Sequence, residues 1–215
     1  MVNYKDTSYT HFHFIAKRIL DYIGVTIGSI ILSPFFLLVI IAIKLDSPGK
    51  VIFKQKRVGI NGTIFEMYKF RSMYEDADEN LHKQYIQKYA TGNVDISKGA
   101  KLKNDHRITR VGKFLRRTSI DEFPQLINVF NGTMTLVGPR PLPVYEVEYF
   151  NLWQDERLNI MPGMTGYWQI YGRGAVSFED QLRYDIHYIR KMSPWMDIKL
   201  LFLTFFFVIL GKGAK

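Results

Sequence analysis

Three clusters in the 215-residue chain have residue types suited to chemistry on a phosphorylated substrate. The first is the acid pair Asp121-Glu122, with Arg116 and Arg117 just upstream. A carboxylate in the first turn of a helix is held ionised by the helix dipole, which is the state a carboxylate nucleophile needs. The same helix end, and the two guanidiniums beside it, attract phosphate. Asp121 also offers hard oxygen to Mg²⁺, which binds through one or two carboxylates and completes its shell from substrate phosphates. Attack on a diphosphate needs this combination of anionic nucleophile, charge-masking cation and stabilised oxyanions. The bland alternative is structural: Ser119-Ile-Asp-Glu122 spells a capping box, in which Ser119 and Glu122 close free amides.

The second cluster is Pro139-Arg140-Pro141. Two prolines fix the backbone around one guanidinium, making either a rigid surface loop or a preorganised bidentate phosphate clamp. The third is Lys69-Phe70-Arg71, two cations around an aromatic at the end of a β-prone segment. It reads as a solvated sheet edge or as a phosphate site. Arg173, after a Gly/aromatic turn, is placed to reach a nucleotide base or phosphate. Several other chemistries lack their residues. There is no cysteine, hence no disulfide, thiolate nucleophile or cysteine zinc site. The sequence has no P-loop, no dinucleotide fingerprint, no Gly-x-Ser-x-Gly elbow and no histidines at zinc spacing.

Elements must hold these clusters in place. The residues up to 12 are polar. Ile23 to Ile43 is then apolar and uncharged, with Lys17, Arg18 and Asp21 before it and Lys44 and Asp46 after it. That run is long enough for a bilayer core, which takes about 20 residues, and too long for the roughly 7–15 of a signal peptide. Ser33-Pro34 falls in its middle. Proline removes a backbone donor, and a serine hydroxyl can bond a carbonyl so freed. Cationic flanks stay cytoplasmic. Both flanks are basic here, so a helix that enters, breaks at Ser33-Pro34 and returns to the same face fits as well as a kinked span. Val51–Arg57 and Thr63–Phe70 around Asn61-Gly62 predict a β-hairpin over about 51–70. Residues 74–92 read as helix or loop. The stretch 98–117 carries Lys98, Lys101, Lys103, Arg107, Arg110, Lys113, Arg116 and Arg117 against Asp105 alone. A helix is expected from Ser119 to Phe130, ended by Asn131-Gly132. Val137–Leu142 reads as a fixed loop and Met161–Trp168 as a turn-rich stretch. Phe178–Lys191 reads as a helix. The apolar Trp195–Leu210 is short for a span and suits an interfacial helix.

The net charge of +9 admits nucleic acid, anionic lipid or a phosphorylated small molecule as partner. No nucleic-acid motif is present and the apolar run has no place in such a protein, so no nucleic acid is expected. A non-enzymatic scaffold on anionic lipid would explain the charge and the apolar run, but not the acids beside Arg116-Arg117.

The motifs, in this order, resemble the bacterial monotopic phosphoglycosyl transferases, also called the bacterial sugar transferase family, in their small form. The matching stretches are Ser33-Pro34, Val51–Gly59, Tyr68–Met73, Arg107–Gly112, Leu115–Leu126, Leu136–Leu142, Pro162–Gly166 and Trp168–Arg173. His106 departs from the pattern, standing where proline is common, and the C-terminal stretch is more apolar than expected. The resemblance implies an α+β, mostly helical monotopic membrane protein. Residues 1–48 would be the tail and re-entrant helix, and 49–215 the catalytic domain with its C-terminal interfacial helix. It implies transfer of a sugar-1-phosphate from a UDP-sugar to polyprenyl phosphate with release of UMP, at the cytoplasmic face of the bacterial inner membrane. Asp121 would carry the covalent intermediate with Mg²⁺ nearby, Glu122 would assist, and Arg116 and Arg140 would hold phosphate. Together with the residue reading, the expected substrate cations are Lys69, Arg71, Arg116, Arg117, Arg140 and Arg173. A homodimer is left open.

Overall fold

In the computed structural model, which describes residues 11–75, 80–90, 105–147, 152–172 and 176–210, the apolar run and its flanks form one helix, α1 (His11–Asp46). It is 36 residues long and contains Pro34. The expected break is not an interruption of the helix. The Ser33 hydroxyl donates to the Ile30 carbonyl at 3.0 Å. That carbonyl is the one Pro34, lacking an N–H, leaves without its helical donor. The serine therefore satisfies the group that would otherwise force the chain apart, and helical geometry continues through both residues.

A hairpin follows, as the sequence predicts. β1 (Ile52–Val58) pairs antiparallel with β2 (Ile64–Phe70), in register from Ile52 opposite Phe70 to Val58 opposite Ile64. The turn needs left-handed backbone at Asn61 (φ 54) and Gly62 (φ 75), which asparagine and glycine tolerate. α2 (Asn80–Ala90) and α3 (Arg110–Thr118) come next. Thr109 caps α3 by accepting from the Gly112 amide at 2.9 Å. A 3-10 turn, Ile120–Glu122, leads into α4 (Gln125–Phe130). β3 (Thr135–Val137) pairs in parallel with β4 (Gly163–Thr165). Between them lie α5 (Val144–Val147) and a 3-10 segment, Leu152–Asn159. α6 (Tyr167–Tyr171), α7 (Phe178–Lys191) and α8 (Pro194–Ile209) complete the chain. Among the described residues the architecture is mostly helical with two small sheets.

One core binds these elements. Val25 of α1, Met67, Val129, Met134, Ile189 and Leu200 are buried together, and a smaller cluster joins Ile43 to Phe70 and Leu115. α4 is fixed to β2 by Asn128, whose amide donates to the Glu66 carbonyl (2.7 Å) and accepts from the Tyr68 amide (3.0 Å). A side chain thus supplies hydrogen bonds that a third strand would give.

Both ends of α1 are seated on this body. Lys17, buried, pairs with Asp197 of α8 at 2.7 Å and also donates to the Val137 carbonyl. At the other end Asp46 accepts from the Val111 amide of α3 at 3.0 Å. The apolar middle between them is long enough to cross a membrane and little of it is buried, although Val25, Leu32 and Phe36 pack on the core. α8 also exposes Trp195, Phe202, Phe205 and Phe206.

Candidate active site

Asp121 and Glu122 lie in the short turn between α3 and α4, so both helices aim them. The capping box does not form. Ser119 adopts left-handed backbone (φ 59), ends α3, and makes no side-chain cap on the following turn. That frees Glu122 for a different pairing. Its Oε1 accepts from Lys69 Nζ at 2.9 Å and from Arg140 Nη2 at 3.2 Å. Lys69 comes from the end of β2 and Arg140 from the loop after β3, so three separate elements converge on one carboxylate oxygen.

The two acids have opposite electrostatic settings. Burial pushes the Glu122 carboxyl up, but Lys69 and Arg140 together outweigh it and hold its pKa down at about 2. Asp121 is buried and makes no hydrogen bond among the described residues. Burial raises its pKa above the usual carboxylate value, opposed by Lys69 and reinforced by Glu122. Glu122 is therefore a firmly ionised anchor for two cations, whereas the Asp121 oxygens are uncommitted. Burial lowers the Lys69 pKa, and Glu122 opposes that.

The remaining expected cations divide. Arg116 adjoins the acids: its Nε donates to Ser72 Oγ at 2.8 Å, burial lowers its pKa, and Asp121 is the acid that most opposes that shift. Arg71 does not. Its guanidinium is buried and donates to the Ser47 carbonyl (2.6 Å), the Ser47 hydroxyl (2.9 Å) and the Pro48 carbonyl (2.6 Å). It closes the exit of α1 against the hairpin, and no hydrogen bond or ion pair among the described residues joins it to Asp121 or Glu122. Arg117 is exposed on α3, and no hydrogen bond or ion pair among the described residues joins it to the acids. Arg173 lies outside the described residues, as do Lys98, Lys101 and Lys103 of the basic stretch.

A free buried carboxylate, a second carboxylate holding two cations, and a third cation behind them form a charge arrangement for a polyanionic substrate. The profile of the bacterial sugar transferases matches residues 12–211, nearly all of these elements. The chain belongs to that family. It is 44% identical over its full length to a galactosyl transferase of Streptococcus agalactiae and 38% identical over 97% of its length to the UDP-glucose:undecaprenyl-phosphate glucose-1-phosphate transferase of Escherichia coli. An exopolysaccharide production protein of Sinorhizobium fredii is 36% identical over 93% of the chain. The chain spans 47% and 43% of the length of the first two relatives and 88% of the third.

Family membership makes the site's less visible members worth naming. Arg57, Arg157 and Glu146 are buried around the Arg140 loop. Burial, with Arg140 nearby, lowers the Arg57 pKa to about 10, and Glu146 opposes the shift. Burial raises the Glu146 pKa against the opposing charge of Arg57 and Arg157. Arg57 falls within the matching stretch Val51–Gly59, but nothing local in the sequence sets these three apart. Arg57 reads as one more basic residue flanking the apolar run, and Arg157 meets its partner Asp185 only through the fold.

Proposed function

We propose that the chain is a phosphoglycosyl transferase, moving a sugar-1-phosphate from a UDP-sugar to polyprenyl phosphate with release of UMP. The observation that carries this reading is the division of labour between adjacent acids: Glu122 engaged by Lys69 and Arg140, Asp121 buried and free. A substrate with two phosphates meets preplaced cations on one side and an uncommitted carboxylate on the other. Two relatives, of Salmonella typhimurium and Escherichia coli, are undecaprenyl-phosphate transferases of galactose phosphate and glucose-1-phosphate.

The reaction then runs in two displacements. The Asp121 carboxylate oxygen attacks the β-phosphorus of the UDP-sugar, and the bond from that phosphorus to the bridging oxygen breaks. UMP leaves with the electron pair, and the sugar phosphate stays on Asp121 as an acyl phosphate. A phosphate oxygen of the lipid next attacks the same phosphorus, forming the lipid diphosphate sugar and returning Asp121 to its carboxylate. Arg140 and Lys69 are the cations closest to hand for the charge that accumulates on the phosphoryl oxygens. Glu122 keeps them in place between turnovers, and Arg116 faces Asp121 from α3.

The donor set suits Mg²⁺. Asp121 has hard oxygen atoms that accept no hydrogen bond among the described residues, and no group of three His, Cys, Asp or Glu side chains occurs among them. An ion held by one or two carboxylates plus substrate phosphates needs no all-protein cage. Asp121 would hold the ion, which supplies neutralisation of the diphosphate.

The monotopic, re-entrant placement belongs to the same reading. Lys17 and Asp46, at opposite ends of the exposed apolar stretch, both bond the same folded body. A helix crossing the bilayer would put them on opposite sides of about 30 Å of hydrocarbon. A return to the cytoplasmic face satisfies both contacts and both basic flanks. The exposed aromatics of α8 then lie at the interface, and the basic stretch meets anionic lipid.

The test is UMP release in detergent or nanodiscs across a panel of UDP-sugars. We expect turnover that requires polyprenyl phosphate and Mg²⁺ and is abolished by Asp121→Asn. Near-normal turnover of that variant would remove Asp121 from the chemistry, and no UMP from any donor would remove the activity.

A further inference from the structure

The backbone of the Pro139-Arg140-Pro141 loop is held by more than its prolines. Each of its consecutive carbonyls accepts a hydrogen bond from a different element. The Gly163 amide of β4 donates to the Pro139 carbonyl at 2.8 Å. Arg157 Nη2, from the 3-10 segment, donates to the Arg140 carbonyl at 2.8 Å. Arg57 Nη1, from β1, donates to the Pro141 carbonyl at 2.9 Å. The two guanidiniums are 8% and 4% exposed.

Each of these arginines is itself anchored. Arg57 Nη2 donates to Gln55 Oε1 at 2.6 Å, and Glu146 is the acid facing it. Arg157 pairs with Asp185 of α7 at 2.5 Å, both side chains almost fully buried. The line of contact runs from α7 through Arg157 to the backbone of Arg140, and from there to Glu122.

Buried guanidiniums are an expensive way to fasten a loop. Neutral donors would hold a proline-rich backbone as well. What Arg57 adds besides a donor is charge: it acts against the Arg140 guanidinium and disfavours its folding back, so that Arg140 extends toward Glu122. Holding the Arg140 and Pro141 carbonyls, while the Gly163 amide holds that of Pro139, also fixes the origin of the Arg140 side chain, as a clamp needs when small displacements are costly to rate.

We infer that Arg57 and Arg157 are positioning residues for phosphoryl transfer, acting through Arg140 rather than on substrate. This rests on the transferase reading proposed above. A double-mutant cycle tests it, using the full-length chain in nanodiscs with saturating polyprenyl phosphate. Arg157→Gln and Arg57→Gln should each lower kcat/KM for the UDP-sugar by about 10- to 100-fold in the otherwise wild-type chain. In an Arg140→Ala background the same changes should cost less than about threefold, because the group they act through is gone. Arg157→Lys, which keeps charge and a donor, should recover part of the loss. Gln55→Ala, which removes only an anchor of Arg57, gives a milder variant should the glutamines fail to fold. It should show the same dependence on Arg140 with a smaller loss. Equal losses in both backgrounds would show a fold-wide role and overturn the inference, as would unchanged kinetics in the variants. Wild-type turnover in the same series separates the two readings. Its absence refutes the reaction, and the positioning role with it, whereas turnover that is indifferent to these arginines refutes the positioning alone.

Discussion

Gly112→Ala is a one-carbon change that reports on how Asp121 is aimed. Gly112 lies in the first turn of α3, directly over the segment that follows β2. A Cβ built there overlaps the Ser72 carbonyl oxygen and lies 2.7 Å from its carbonyl carbon and 2.8 Å from its Cα. Comfortable carbon–carbon contact needs about 3.5 Å or more, so α3 must lift by roughly 0.8 Å even before the oxygen is considered. The obstacle is backbone, held by the Thr109 amide donating to that carbonyl at 3.2 Å and by Arg116 on the Ser72 hydroxyl. It cannot swing aside as a side chain would. The lift is transmitted to Arg116 and to the Ile120–Glu122 turn that ends α3. Overpacking of this kind destabilises by about 1–3 kcal/mol. A displacement of about 1 Å at the nucleophile lowers rate by on the order of 100-fold. The assay is kcat/KM for UMP release alongside a thermal unfolding curve. We expect a folded protein with a modestly lowered midpoint and a loss of rate far larger than that change explains. A variant within about threefold of wild type would refute the idea that the seating of α3 on Ser72 positions Asp121.

Other expectations follow from the same geometry. Asp121 must be ionised to attack and its pKa is raised by burial, so turnover should fall on acidification at a pH above the ordinary carboxylate value of 3.8. Lys69 is lowered by burial, so a second decline should appear as pH rises through a value below 10.5. A pH–rate profile lacking either limb contradicts these assignments. The Glu122 pKa is depressed from 4.5 to about 2, so the stability it contributes is present above pH 4.5 and lost as pH falls through 2. Unfolding curves for Glu122→Gln should lack that acid-dependent part. Because the chain has no cysteine, Phe14→Cys and Lys54→Cys can be labelled singly in sealed vesicles. Both should react from the same side, and reaction from opposite faces would show a crossing.

Much of the site was legible because its chemistry is local. Asp121-Glu122, Arg116 and Pro139-Arg140-Pro141 each announce themselves within a few residues, and Lys69 ends a strand whose pattern is clear. The helix through Ser33-Pro34 was harder. Proline signals a break, and only the geometry shows the Ser33 hydroxyl bonded to the one carbonyl that Pro34 abandons. The partners of Arg71, the Ser47 and Pro48 carbonyls just past α1, lie more than twenty residues upstream and leave no local signal. The parallel pairing of β3 with β4 involves strands of three residues, too short for alternation to appear in sequence. Arg57 and Arg157 escape notice because their partners lie far along the chain, Pro141 for one and Asp185 for the other.

The central claim is that Asp121 becomes covalently attached to the transferred phosphate. The direct measurement uses UDP-sugar labelled with ³²P at the β-phosphate, mixed with the protein and Mg²⁺ in the absence of lipid acceptor. Label should appear on the peptide that contains Asp121, in step with UMP release. It should be discharged to lipid when polyprenyl phosphate is added and be missing from Asp121→Asn. Release of UMP only when both substrates are present, with no label on the protein, would contradict the account.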